Sequence, residues 1–405
     1  MLNTWGLCAM AFLSISGGPI GMESAMLNSN IWTIQYICLW ILITYMIPVS
    51  YMCYEMTLKY DLNGANGGPM GWVYNSLGRR WGIVNGVWDI LDTLIDNSIY
   101  PVIFADNCLR MGYIPIEYKN IVSWLMVLIT FAINYGEIQG IAAIFLCVFI
   151  MLPFVFGILV TPWDNMYTET NNKIDWPSIQ NSFTIIVWSI NGFDMVSPYA
   201  HKVSNPKEAY KITYIFNSVG TYLMMVVIYS MGTYYIHDPN KWTDGSFVNM
   251  AGYVADDWGR WWMGISICSA AFGVLTAELC STSYLFVALS KMGFSTRFES
   301  PRFNLFLNVL ILSVCVIVNL EVLIELSAFL NTLTLQCEVL SYIVSFPQNK
   351  FRTALSLCIT LNNIAILACL KNTCLIALGS SIGLALLCVW ITEKSINVKK
   401  DLITD

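Results

Sequence analysis

The chain reads as an all-α integral membrane protein of about twelve transmembrane helices, on three observations. Hydrophobic residues make up 57% of it and charged residues only 11%, where a soluble chain carries about 25% charged residues. Apolar runs approaching the roughly 20 residues that cross a bilayer recur along its length. Two of those runs are broken by glycine and proline, at Ser16-Gly17-Gly18-Pro19-Ile20-Gly21 and at Ser189-Ile190-Asn191-Gly192-Phe193-Asp194 through Pro198. Backbone at bilayer depth can be non-helical only where it lines a cavity or is buried in protein. Two such breaks therefore predict discontinuous first and sixth helices, related by an inverted repeat, around one shared polar cavity.

The segments expected on this ruler are 4–27, 31–56, 82–106, 121–134, 138–160, 183–199, 212–235, 263–289, 305–318, 323–346, 355–370 and 374–391. The first runs into the glycine break rather than a small-residue cleavage site, so it reads as a membrane segment and not a signal peptide. The loop at 58–82 is rich in glycine. With a cytoplasmic N-terminus, the outer side receives Arg110, Lys119, Lys173, Lys241, Arg260 and Lys371, and the inner side receives the other fourteen of the twenty basic residues. That bias obeys the positive-inside rule and leaves no Lys or Arg within any expected span. Both termini are then cytoplasmic, in the plasma membrane or an intracellular one.

The net charge of −6 and the lack of a basic tail set nucleic acid aside. The thirteen cysteines form no Cys-x-x-Cys pair, and most, such as Cys147 and Cys268, lie in apolar runs and read as small membrane residues. His201 and His237 lie at segment ends, which argues against a metal site. No cofactor and no catalytic residue is expected. Acids in the outer loops, among them Asp164, Asp238, Asp256 and Asp257, serve solvation or a weak funnel for cations.

Acids inside the spans carry more information, because an Asp at a helix centre costs at least about 2.5–3.5 kcal/mol in a bilayer. Asp89, Asp92, Asp96 and Tyr100 share one face of the third segment at about 100° per residue. Asp96 falls near the middle; Asp89 and Asp92 lie nearer the inner end, where backbone or loop amides can bond them. Glu23 beyond the first break, Asp194 within the second and Glu278 on the eighth segment add carboxyl groups that inverted-repeat geometry brings near one cavity. Glu338 approaches the inner end of its span. With no basic neighbour at that depth, protons, a cationic ligand or both in alternation must supply positive charge.

These residues resemble the polyamine/proton symporter branch of the amino acid, polyamine and organocation superfamily. The resemblance rests on Ser16 through Glu23, on Gly67-Gly68-Pro69-Met70-Gly71-Trp72-Val73 leading to Gly78-Arg79-Arg80-Trp81-Gly82, and on Ile95-Asp96-Asn97-Ser98-Ile99-Tyr100-Pro101. It continues through Asn191-Gly192-Phe193-Asp194 with Asn205-Pro206, and Ala277-Glu278-Leu279-Cys280-Ser281-Thr282-Ser283-Tyr284, over roughly residues 4 to 350. The resemblance implies a LeuT-type fold of two inverted five-helix repeats, 4–160 and 178–346, two further helices within 352–391 and a cytoplasmic tail at 392–405. It implies alternating access, a monomeric transport unit, and an aromatic gate at Phe193 where the branch carries Trp, although Phe193 could equally serve packing alone. The sequence departs from the branch at the inner end of segment six, where Lys202 replaces an acid, and at Thr282, which also replaces one. The resemblance implies a hydrophilic N-terminal extension in the branch, which is not expected ahead of the first segment here.

For the substrate, Pro19 lacks an N–H and weakens the first break as a carboxylate site, while Gly17, Gly18 and Gly21 keep theirs. That favours amine cations over amino acids, and protons over sodium, although Ser281, Thr282 and Ser283 could join a sodium site. The expected substrate-binding set is Gly17, Gly18, Glu23, Asp96, Tyr100, Asn191, Phe193, Asp194 and Glu278, with Asp96, Asp194 and Glu278 as proton carriers and Lys202 at the inner gate. A non-transporting nutrient receptor is the alternative of another class, against which the roughly fourteen residues after Ile391 weigh.

Overall fold

The structure, a computed structural model, describes residues 3–18, 21–27, 29–62, 68–136, 139–163, 176–243, 245–346, 350–369, 381–386 and 388–389, with backbone alone at 139–145, 199, 201, 202 and 321. Helices dominate it. In chain order they are α1 (Thr4–Ile15), α2 (Ile31–Tyr60), α3 (Pro69–Leu77), α4 (Arg79–Arg110), α5 (Lys119–Tyr135) and α6 (Gln139–Val160). There follow α7 (Trp176–Trp188), α8 (Pro206–Tyr235), α9 (Ser246–Lys291), α10 (Pro301–Cys315), α11 (Leu320–Ser345) and α12 (Lys350–Cys369).

Six stretches among the described residues are long and apolar enough to cross a membrane: α2, Ile116–Tyr135, α8, α9, Val322–Ser345 and α12. Missing from that set is α4, whose 32 residues would extend about 48 Å. Its acids spoil the apolar run, yet it is packed along α3, α5, α9 and α11. The peripheral helices face the other way. On α5, α10 and α12 the exposed side chains are Leu125, Leu128 and Ile129, then Phe306, Leu310 and Val314, then Leu357, Leu361 and Ile364. Those are apolar stripes at helical spacing, the surface a bilayer requires.

Local chemistry sets the bends. Pro48 cannot donate to the preceding turn, and α2 widens into a π turn at Leu42–Met46 just before it. α9 turns sharply at Ala255 and Asp256, the latter at φ 50°, which divides a short helix from the long one that follows. At one end of the bundle, Arg352 grips Glu55 through Nε to Oε2 at 2.8 Å and Nη2 to Oε1 at 2.5 Å, and the Tyr342 hydroxyl donates to the same carboxylate. That clasp joins α2, α11 and α12. Lys119 pairs with Asp106 at 2.6 Å near the opposite end.

Several expectations are corrected. The stretch at 58–82 is not only loop, because α3 begins at Pro69, a residue pre-set for the first helical position, directly after Gly68 at φ +58°. A Cβ on Gly68 would meet the Ser197 hydroxyl and the Pro198 ring, so α3 starts against the short turn Ser197–Lys202. The sixth segment begins earlier than expected and its helix ends at Trp188, before the break. Most of the twelfth, like Pro19 and Ile20, lies outside the described residues.

Candidate functional site

Both breaks adopt the non-helical backbone that their glycines allow. α1 ends with the amides of Ser16 and Gly17 both donating to Phe12 O, at 3.0 and 2.9 Å, and Gly17, Gly18 and Gly21 all have positive φ. α7 ends at Trp188, and Gly192 has φ +96°. A Cβ on Gly192 would run into the carbonyl of Ser14, and one on Gly17 into the Val274 side chain. The second break therefore packs on the last turn of α1 and the first break on α9, where only glycine fits.

Around this junction lies a small cavity of about 50 Å³. Its walls are the end of α1 with Ser16 and Gly17, the break residues Asn191, Gly192 and Met195, and inward faces of α4, α9 and α11. Three carboxyl groups line it: Asp92, Asp96 and Glu278; no basic side chain does, among the described residues. Asp96 is the best connected. Its Oδ2 accepts from Tyr100 at 2.6 Å, and its Oδ1 from Trp188 Nε1 at 2.9 Å and from Ser327 at 3.3 Å. Ser327 also donates to Asp92 Oδ1 at 2.8 Å. The Tyr100 hydroxyl stands 3.5 Å from Glu278 Oε1, while Glu278 Oε2 is buried with no hydrogen-bond partner among the described residues.

Trp188 and Ile103 separate this cavity from a wider vestibule of about 770 Å³ that reaches Asp106, Arg110 and Glu325. The Trp188 ring lies against Gly21, where a Cβ would approach it to 3.1 Å. Its indole N–H, bonded to Asp96, holds the ring across the mouth.

Of the residues expected from sequence, Gly17, Asp96, Tyr100, Asn191 and Glu278 line the cavity. Others lie elsewhere. Glu23 lines the vestibule, because the turn Glu23–Met26 follows the break on the far side of Trp188. Gly18, at φ +100°, shapes the break without lining the cavity. Phe193 is 1% exposed within the main apolar core, so the aromatic wall is Trp188 and not Phe193. Asp194 is buried and does not line the cavity. Lys202 closes the turn Ser197–Lys202, and its side chain lies outside the described residues. Thr282 and Ser283 spend their hydroxyls on Glu278 O and Leu279 O of their own helix, both at 2.8 Å, whereas Ser281 reaches Met195 O at 3.1 Å.

Sequence reasoning missed Trp188, Ser327 and Asn331 and read Asp92 as a bonded structural acid. Asp92 shares the face of Asp96, and that periodicity was the available signal; the other three carry no charge to single them out.

The amino acid permease family matches residues 2–389. The chain belongs to that family. It is a family of permeases rather than enzymes, and with its apolar helices this member is a multi-pass membrane protein. Among curated relatives, a probable polyamine transporter of Arabidopsis thaliana is 24% identical over 311 residues, 73% of this chain and 63% of the relative. The polyamine transporter RMV1 of the same plant is 28% identical over 312 residues, 71% and 60% of the two chains. The polyamine transporter PUT1 of Oryza sativa subsp. japonica is 26% identical over 311 residues, 73% and 56%. The chain thus spans between 56% and 63% of the length of these relatives.

Proposed function

We propose that the chain is a secondary active transporter that imports polyamines or related organic cations by alternating access, driven by protons. The observation that carries this reading is the charge balance of the cavity: Asp92, Asp96 and Glu278 face it and no described basic side chain answers them. Carboxylates at membrane depth need a partner of opposite charge, and an ammonium group or a proton supplies one. Relatives named as polyamine transporters agree with this chemistry.

In this reading the helices form a LeuT-type pair of inverted repeats, 4–160 and 178–346, with α1 and α7 as their broken first members and 352–391 as two further helices. Asp96 and Glu278, with Tyr100 between them, hold the amine and exchange it for protons; Asp194 is a third proton carrier. Trp188 closes the cavity toward the vestibule, and Lys202 belongs to the inner gate. The end that carries Lys59, Arg79 and Arg352 faces the cytoplasm, in the plasma membrane, and the monomer is the transport unit. Sodium is the alternative coupling ion, for which Ser281 is the one hydroxyl of the eighth segment that reaches a break carbonyl.

An amino acid substrate is the second reading, favoured by the family match itself. Against it, the amides of Ser16 and Gly17 are already bonded to Phe12 O, which leaves fewer N–H groups at the first break for a carboxylate.

Proteoliposomes containing the protein test this directly. Labelled spermidine is expected to accumulate under an inward proton gradient and to be displaced by putrescine but not by leucine. Displacement by leucine and not putrescine would assign the amino acid reading. Asp96→Asn and Glu278→Gln are each expected to abolish uptake with the melting temperature unchanged; full uptake in either removes that residue from the site.

A further inference from the structure

A second set of acids lies on the far side of the cavity from the vestibule. Asp96 on α4 and Asn331 on α11 both face the cavity, and the two helices run in opposite directions, since Arg110 near the end of one and Leu320 at the start of the other share the vestibule. Asp89 stands seven residues before Asp96, and Glu338 seven residues after Asn331. Seven residues make two turns, so each acid keeps the face of its partner and sits about 10 Å farther from the vestibule. Asp194, three residues past Asn191, completes the group: it lies within electrostatic reach of both Asp89 and Glu338. Asp89 and Glu338 are 2% exposed and Asp194 9%.

The group is also incompletely bonded. Asp89 Oδ2, Glu338 Oε2 and both side-chain amide atoms of Asn85, one turn from Asp89, are buried with no hydrogen-bond partner among the described residues. Asn85 is 0% exposed. A buried polar atom left unpaired costs about 1–3 kcal/mol, so their concentration here asks for a ligand. Most of these atoms are acceptors, which calls for a donor carrying positive charge.

We propose that Asp89, Asp194 and Glu338, with Asn85, form a second ammonium subsite that takes the distal amine of a diamine or triamine whose first amine is held by Asp92, Asp96 and Glu278. This rests on the reading of the chain as an organic-cation carrier. The spacing suits it. Along α4 the two sets are separated by about 4.5 Å from Asp92 to Asp89 and about 10 Å from Asp96 to Asp89. Two amines joined by four methylenes lie about 6 Å apart when extended, at bond lengths of about 1.5 Å. Tyr45, whose hydroxyl donates to Asn191 Oδ1 at 2.7 Å, has Asp92 of one set and Asp194 and Glu338 of the other as electrostatic neighbours. Asp89, Asp194 and Glu338 do not line the cavity, so the second amine reaches them as the contact of Tyr45 with Asn191 parts. A monoamine fills one subsite only.

The test uses the full chain in proteoliposomes, with labelled spermidine as substrate and 1,3-diaminopropane, putrescine, cadaverine and n-butylamine as competitors. Asp89→Asn and Glu338→Gln are expected to raise the half-saturating concentration of spermidine and the inhibition constant of putrescine about tenfold or more, the loss of one charge-assisted contact, while inhibition by n-butylamine stays at the wild-type value. Glu338→Asp keeps the charge and withdraws it by one methylene, so preference is expected to move toward cadaverine. The inference is overturned if putrescine and n-butylamine weaken together, if neither changes, if Glu338→Asp leaves the length preference untouched, or if the neutral variants lose only their response to a proton or sodium gradient. If wild-type protein takes up no spermidine and n-butylamine does not bind, the cation-carrier reading itself falls.

Discussion

Replacing Gly192 by alanine probes the close contact between the second break and the end of α1. The residue has φ +96°, and an added Cβ would collide with the carbonyl of Ser14. Left-handed backbone costs an L residue about 1–2 kcal/mol, and forcing an extra carbon into a packed site costs about 1–3 kcal/mol. Together these place the loss at about 2–5 kcal/mol. Gly220 is the control: it lies inside α8 with nothing within 4 Å of its added Cβ, so alanine there is expected to be neutral or to stabilise by about 0.5–1 kcal/mol. Apparent melting in detergent at one fixed scan rate, compared across both variants and wild type, measures the difference. A melting point several degrees lower for Gly192→Ala alone is expected, with spermidine binding lost. If Gly192→Ala melts and binds like wild type, the second break does not pack on α1 as described.

Three further outcomes follow from the geometry. Trp188→Phe keeps a ring over the cavity but removes the indole donor to Asp96; spermidine affinity is expected to fall about tenfold, the value of one hydrogen bond to a charged group, and equal affinity in a binding assay would show that the bond is idle. Arg352→Met strands Glu55 beside Tyr342 and is expected to lower stability by about 2–3 kcal/mol, given a partly exposed pair; Glu55→Gln added to it should recover part of the loss in melting. Asp61 lies just past α2, where burial pushes its carboxyl up to about 7 despite hydrogen bonds from Trp72 Nε1 and the Gly68 amide. The folded form then holds this proton more tightly than the unfolded one, so its contribution to stability declines as pH rises from about 4 to about 7 and is level above, by up to about 4 kcal/mol. Asp61→Asn should flatten the melting profile across that window, and an unchanged slope would remove Asp61 as its cause.

Much of this was legible in the residues because membrane depth penalises polarity. The glycine breaks had to mark irregular backbone, and Asp96, Tyr100 and Glu278 had to face inward, since neither feature survives in lipid. What stayed hidden depends on contacts between distant segments. Ser327 meets Asp92 across 235 positions, and a serine on an apolar helix announces nothing by itself. Trp188 is one of fifteen tryptophans, and nothing in its local sequence announces its bond to Asp96. Phe193 looked like the gate because it sits within the break, yet the turn that exposes Asn191 and Gly192 to the cavity leaves Phe193 in the core. α3 was read as loop because the glycines before it outweighed the start signal of Pro69.

The most direct test is a cryo-electron microscopy structure of the protein with spermidine bound. An amine nitrogen within hydrogen-bond distance of Asp96 and Glu278, between the two breaks, is the result this account requires. Density for spermidine only in the vestibule beyond Trp188, with the three carboxyl groups left unvisited, would contradict it.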